Sequence, residues 1–256
     1  TGVSAGSLED WVKRYDGAGG WARDVAVDSV GGVYVTGASY SSLFGYDIAI
    51  IKYDSNGNEL WTQSYDGGYE DGPRAIEVDS TGNVYVAGIA GDSYWNTDYV
   101  LIKYDTNGNE LWSERHGDSG RNDLFALAIA PTGNAYITGS TYTSSGAGDY
   151  LTVKYDADGN ELWAKRYDGG ANDSARSVTV DASGDVIVAG ASQGTTGYDS
   201  VTIKYDDNGN DVWLKRYNGG VAVAASVDSF GNVYVTGYGD SDYLTIKYDA
   251  NGNEAW

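Results

Sequence analysis

Short runs in which apolar and polar residues alternate, each bounded by glycine, recur along the whole chain, and no stretch carries a sustained helical period. The first complete set reads ARDVAVD (Ala22 to Asp28), GVYVTG (Gly32 to Gly37), DIAIIKYD (Asp47 to Asp54) and ELWTQSYDG (Glu59 to Gly67). β-Branched and aromatic residues alternating between glycines predict strands, four to a set. The turn sequences fix how these strands connect. DSNGN, DTNGN, DADGN, DDNGN and DANGN stand between third and fourth strands, and DSVGG, DSTGN, APTGN, DASGD and DSFGN between first and second. Each supplies a glycine where a tight hairpin needs positive φ, so neighbouring strands should run antiparallel. Each set is therefore a four-stranded meander.

The set returns at regular intervals. Lys-Tyr-Asp begins at Lys52, Lys103, Lys154, Lys204 and Lys247, spaced 51, 51, 50 and 43 residues apart, and nine residues after each lysine stands Trp61, Trp112, Trp163, Trp213 or Trp256. Trp11 heads WVKRYDG in the same register. We divide the chain into units of about 11–60, 61–111, 112–162, 163–212 and 213–256, in a single domain spanning 1–256. Four-stranded meanders repeated at this length are the signature of a β-propeller, whose blades bury both faces against their neighbours. The expected fold is all-β: five antiparallel blades of about 50 residues, with the terminal strands closing the ring. Lys247 to Trp256 would supply the third strand and the start of the fourth in the last blade, and Trp11 to Gly17 its missing end. Trp11 and Trp256 share one register, so both cannot fill the same slot and one must be displaced. The six in-register tryptophans are the expected packing anchors between blades.

Composition narrows the chemistry. A formal charge of −21 disfavours nucleic acid and anionic bilayers as partners, leaving cations and neutral ligands. There is no cysteine, hence no disulfide and no thiolate chemistry, and no apolar run long enough to insert in a membrane. Starting at Thr1 with no methionine, the sequence reads as a processed or excised product.

Several motifs invite a catalytic or metal reading. The Asp-x-Asn-Gly-Asn turns resemble calcium loops, but their glycine falls fourth rather than sixth, so a turn in which Asp and Asn bond their own backbone is expected. Asp47, Asp98, Asp149, Asp199 and Asp242 recur at the start of the third strand; they fit a metal or ligand face, or an ion pair with Arg23, Arg74 and Arg176. Five copies favour architecture, so no metal and no cofactor are assigned. His116, the sole histidine, stands where Tyr15, Tyr65, Tyr167 and Tyr217 stand after their tryptophans, and reads as a tyrosine substitute. It gives no support to zinc or His-based triads. No catalytic residue is assigned.

The loops after the second and fourth strands emerge on one rim and are the most variable part of the repeat. They carry Tyr40, Phe44, Tyr46, Tyr94, Trp95, Tyr142, Tyr198 and Tyr238, together with Asp71, Asp123 and Asp173. These aromatics are the candidate ligand-binding residues, since loops on a rigid scaffold commonly carry function. Packing over the blade ends is the alternative for each of them.

The segments GNVYVAG, DYVLIKYDTNGNELW and DYLTVKYDADGNELWAKRYDGG resemble the SBBP-type β-propeller repeat of large exported bacterial and archaeal proteins, over nearly the whole chain. That resemblance implies the fold and an extracellular or cell-surface setting, and it brings no catalytic residues. The expected function is a non-enzymatic binding or assembly module whose partner is a glycan or a protein surface, with self-assembly also open. The alternatives are a propeller enzyme acting on glycans and, because YDxNGNELW is also similar to the docking repeat of quinoprotein dehydrogenases, a quinone-dependent enzyme.

Overall fold

The computed structural model of the chain describes residues 11–15, 19–41, 45–93, 95–117, 120–142, 146–239 and 241–256, which form strands and, among the described residues, no helix. The first sheet contains β1 (Gly20–Val27), β2 (Val33–Ser41), β3 (Gly45–Tyr53) and β4 (Glu59–Tyr65). The second contains β5 (Gly72–Val78), β6 (Val84–Ser93), β7 (Asn96–Tyr104) and β8 (Glu110–His116). The third is β9 (Asn122–Ile129), β10 (Ala135–Tyr142), β11 (Gly148–Tyr155) and β12 (Glu161–Tyr167), and the fourth β13 (Asp173–Val180), β14 (Val186–Gln193), β15 (Tyr198–Tyr205) and β16 (Asp211–Tyr217). A three-stranded fifth sheet holds β17 (Val221–Val227), β18 (Val233–Gly239) and β19 (Asp242–Tyr248). Each sheet is an antiparallel meander in chain order. First strands of successive sheets lie against one another, β1 on β5, β5 on β9, β9 on β13 and β13 on β17, which puts them on the inside and the fourth strands outside.

Turn chemistry accounts for the meander. In the first β3–β4 turn the Asp54 carboxylate accepts the backbone N–H of Asn56 and of Asn58 and the Asn58 side-chain amide at 2.8–2.9 Å, while Gly57 takes φ 76°. Asp105, Asp156, Asp206 and Asp249 repeat the arrangement. The aspartate is a backbone cap, and the hydrogen bonds from Asn58 and its counterparts hold these carboxyls below their ordinary pKa.

The Lys-Tyr-Asp…Trp signature joins one sheet to the next. Lys52 and Trp61 face each other across β3 and β4, and both donate to the Thr106 carbonyl in the third turn of the second sheet, Nζ at 3.0 Å and Nε1 at 3.2 Å. Lys103 and Trp112 share the Ala157 carbonyl in the same way, and Lys154 and Trp163 that of Asp207. Each indole also meets the Lys-Tyr-Asp tyrosine of the following sheet: Trp61 meets Tyr104, Trp112 Tyr155, Trp163 Tyr205 and Trp213 Tyr248, at 5.7–6.4 Å between ring centres. Beneath the indole lies the turn glycine. A Cβ on Gly108 would stand 2.8 Å from the Trp61 ring, so glycine is required there for the close approach as well as for its positive φ. Four apolar clusters result, one between each consecutive pair of sheets.

The two ends divide the contested tryptophan slot. The indole of Trp11 lies on the β3–β4 turn of the first sheet, its Nε1 donating to the Ser55 carbonyl at 3.3 Å and its ring 5.8 Å from Tyr53, as a tryptophan of a preceding sheet would. In the fifth sheet the backbone partner of Lys247 is Trp256, which donates no cover to a following turn among the described residues and is 61% exposed. Lys247 pairs with Trp256, rather than with Trp11, because Asn253 closes the Asp249 turn and delivers residues 254–256 directly alongside β19. The joint blade expected from the two termini is thus not formed among the described residues.

Candidate functional site at the inner-strand rim

The inner strands begin on the rim that also carries the loops between second and third strands. There Trp21 of β1 packs edge-on against Tyr46 of β3 with ring centres 4.5 Å apart, and Tyr46 meets Tyr40 of β2 at 5.3 Å. Tyr40 and Tyr46 are brought together because they are register partners near the end of the β2–β3 hairpin. Next to this aromatic step opens a pocket of about 300 Å³ lined by Trp21, Tyr46, Arg74, Ile89, Arg121 and Asp123 among others. Arg121 is held at 3.0 Å by Asp123, and the Arg74 Nε donates to the Leu124 carbonyl at 3.2 Å. Burial lowers the Arg74 pKa, and the neighbouring Arg23 charge pushes the same way.

The other candidates stay on their own sheets: Trp95 between β6 and β7, Tyr142 at the end of β10, Tyr198 at the start of β15 and Tyr238 in β18. Phe44 and Tyr94 lie outside the described residues. Asp71, Asp123 and Asp173, grouped with the rim by sequence, are buried at the starts of the inner strands. Trp21 and Arg121 are pocket residues that pattern reading does not single out, and it offers Arg74 another role, as an ion-pair partner of the third-strand aspartates. One signal was available: Trp21 and Trp95 are the tryptophans outside the Lys-x8-Trp register.

The recurring aspartate of the third strand has a different partner from the first-strand arginines. Asp149 binds Arg166 at 2.8 Å, Asp199 binds Arg216 at 2.7 Å, and Asp98 binds Arg115 at 3.3 Å, all across the β-ladder to the fourth strand. Arg74 is turned to the next sheet's backbone instead. In the first sheet the arginine register is filled by Ser64, opposite Ala49. Asp47, Asp66 and Asp71 there bring carboxylate oxygens within 4.8 Å of one another.

Burial pushes the Asp71 carboxyl up to about 6, against hydrogen bonds from the Gly67 and Gly91 N–H groups and with the added repulsion of Asp66 and Asp47. A carboxyl raised in the folded state stabilises the fold fully below its unfolded pKa of about 3.9, and that contribution is lost as pH rises through about 6. Asp66→Asn removes an exposed repelling charge. The Asp71 midpoint, read by carboxyl NMR, should move down, and stability should fall less steeply between pH 4 and 6; an unmoved midpoint would show that Asp66 does not act on it.

No family model matches the chain. A sequence relative, the regulatory protein FlaEY of Caulobacter vibrioides, is 28% identical over 175 residues, 58% of this chain and 18% of that protein. The chain thus spans under a fifth of the relative's length. Among solved structures, the β-propeller domain of the trilobed protease from Pyrococcus furiosus, described as having an open velcro topology, is similar over 92% of this chain and 70% of that one, with a TM-score of 0.55 and 9% identity. A puromycin hydrolase S511A mutant matches over 93% of this chain and 37% of that one (TM-score 0.55, 15% identity). A protein of unknown function from Dyadobacter fermentans matches over 91% and 80% (TM-score 0.54, 10% identity). Together with the repeated antiparallel sheets, these likenesses establish a β-propeller fold.

Proposed function

We propose that the chain is a non-enzymatic binding module of the SBBP repeat type, working outside the cell or at its surface, and that it holds a neutral carbohydrate polymer at this rim pocket. The observation that carries this reading is the Tyr40–Tyr46–Trp21 step opening onto the pocket beside Arg74 and Asp123. Tyr40 and Trp21 are about half exposed, so their faces are open to the apolar face of a sugar ring. The buried Asp71 and Asp123 carboxylates and the Arg74 and Arg121 guanidinium groups beside them supply acceptors and donors for hydroxyls, with Arg121 paired to Asp123. The strongly acidic surface further disfavours an anionic ligand.

The choice against catalysis rests on the carboxylates. Asp71, the pocket acid with the raised pKa, accepts two backbone N–H groups, a turn-capping role repeated by Asp173 at Gly169. An acid that caps the same turn position in two sheets is an architectural part. Polysaccharide pull-down and titration calorimetry with the native chain and with Trp21→Ala and Tyr46→Ala test the proposal. Native binding should be lost or weakened at least about tenfold in both variants, since stacked rings dominate such contacts. Variants that bind as well as the native chain, or a native chain that binds no glycan, would transfer the function to a protein partner. Release of new reducing ends during incubation would instead favour the enzyme reading.

A further inference from the structure

The carboxylate triad of the first two sheets has a counterpart 102 residues on, where Asp149 of β11, Asp168 after β12 and Asp173 of β13 also bring oxygens within 4.8 Å of one another. The surroundings of this second triad differ. The Asp173 Oδ2 accepts the Gly169 N–H at 2.5 Å, but its Oδ1 is buried with no hydrogen-bond partner. Across the β13–β14 ladder stands Ser192, the register partner of Asp173, fully buried, its Oγ likewise without a partner. The two orphan oxygens lie together on one side of Gly169, where a Cβ would stand 2.4 Å from Ser192 Oγ and 2.9 Å from Asp173 Oδ1. Leaving two buried oxygens unmatched is costly, and a serine hydroxyl beside a carboxylate that it does not bond has its lone pairs free for a third party.

We propose that Asp149, Asp168, Asp173 and Ser192 form a binding site for a divalent cation of the calcium type, clamping the third sheet to the fourth. Three carboxylates less the Arg166 guanidinium, which holds Asp149 Oδ2 at 2.8 Å, leave two negative charges to match the ion. All donors are oxygens, and exposed Asp168 leaves room for the waters that complete a calcium sphere; magnesium demands a stricter octahedron. The other interfaces lack the full set. In the first, Ala90 replaces Ser192 and both Asp71 oxygens are satisfied by backbone N–H groups. In the second, Gly117 and Asn122 replace two of the acids, and the Asn122 side chain donates to the Thr97 carbonyl at 2.7 Å.

Calcium titration calorimetry and thermal unfolding in 0.15 M NaCl, with magnesium as control, test the assignment. The native chain should bind calcium with a dissociation constant on the order of 10⁻⁴ M, and its melting temperature should rise by roughly 5 °C at 10 mM calcium. Asp168→Asn, a change at an exposed side chain, should weaken binding at least about tenfold while leaving the calcium-free melting temperature in place; Ser192→Ala should weaken it less. The proposal is overturned if the native chain shows no calcium-dependent heat or shift at this ionic strength, if magnesium acts equally, or if Asp168→Asn binds like the native chain. Binding that survives Asp168→Asn and disappears in Asp66→Asn would place the ion in the first triad and equally overturn it.

Discussion

Trp213→Ala should destabilise the chain by about 3–5 kcal/mol, whereas Trp256→Ala, at the same position of the repeat, should change stability by no more than about 0.5 kcal/mol. Trp213 is 9% exposed, belongs to the apolar cluster between the fourth and fifth sheets, and donates to the Ala250 carbonyl at 3.3 Å. Its removal opens a cavity against Tyr248 and leaves that carbonyl with one donor fewer. Trp256 holds the same register beside Lys247 but stands 61% exposed. In an array whose units contact only their neighbours, the loss at Trp213 should fall on the last interface, so the fifth sheet should lose hydrogen-exchange protection before the first three. Denaturant unfolding compares the two variants directly. Equal costs would mean that the tryptophan acts through its own sheet rather than through the turn of the next one.

The same contrast shows what a repetitive sequence reveals and what it hides. Strand order, hairpin chemistry and the interval were legible because each is a local property: alternation, a turn glycine and a capping aspartate lie within a few residues of one another. The tyrosine register of His116 was legible for the same reason, and the histidine indeed pairs with Tyr99 as Tyr65 pairs with Ile48. The ion pairs were not. Arg166 reaches Asp149 across a ladder whose register depends on a bulge at Lys154 and Tyr155, and spacing alone offered the first-strand arginines equally well. The competition at closure was legible but its outcome was not, because it depends on which of two segments in one tryptophan register wins the partner strand.

The candidate site follows that division. Tyr40 and Tyr46 could be assigned to one rim from their place in the hairpin, but the third ring, Trp21, comes from a different strand of the sheet and stands just before the Ala22-to-Asp28 segment whose alternation marks the first strand. Asp71, Asp123 and Asp173 could be placed at the loop ends, yet whether such an acid faces solvent or turns back to cap a Gly-Gly turn is decided by two backbone N–H groups that sequence does not display.

Lys204→Met should cost about 3–5 kcal/mol, more than the same change at Lys103, because among the described residues Lys204 is the repeat lysine that neutralises a buried acid. In the first three sheets the lysine ammonium lies 4.8–5.4 Å from the ring centre of the second-strand tyrosine, Tyr34, Tyr85 or Tyr136, and bonds the next turn's carbonyl. The fourth sheet has Ile187 in place of that tyrosine, and its first turn ends in Asp185 where Asn83, Asn134 and Asn232 stand elsewhere. Lys204 accordingly turns to its own sheet and binds Asp181 at 2.9 Å and Asp185 at 3.0 Å. Burial alone would lower its pKa, but the hydrogen bonds and charges of the two aspartates raise it above the ordinary lysine value. A raised lysine contributes stability that is fully present below the unfolded pKa of about 10.4 and is lost as pH climbs through the higher folded value. Native stability should therefore owe no slope to this group between pH 6 and 9 and should fall beyond about pH 10, and Lys204→Met should lose that alkaline component. Lys103→Met strands no charge, only the Ala157 carbonyl that Trp112 still partly satisfies, so its cost should stay near 1–3 kcal/mol. If the two substitutions cost the same, the aspartates at 181 and 185 find solvent or another partner once the lysine is gone, and the pair is a surface contact in energetic terms despite its burial.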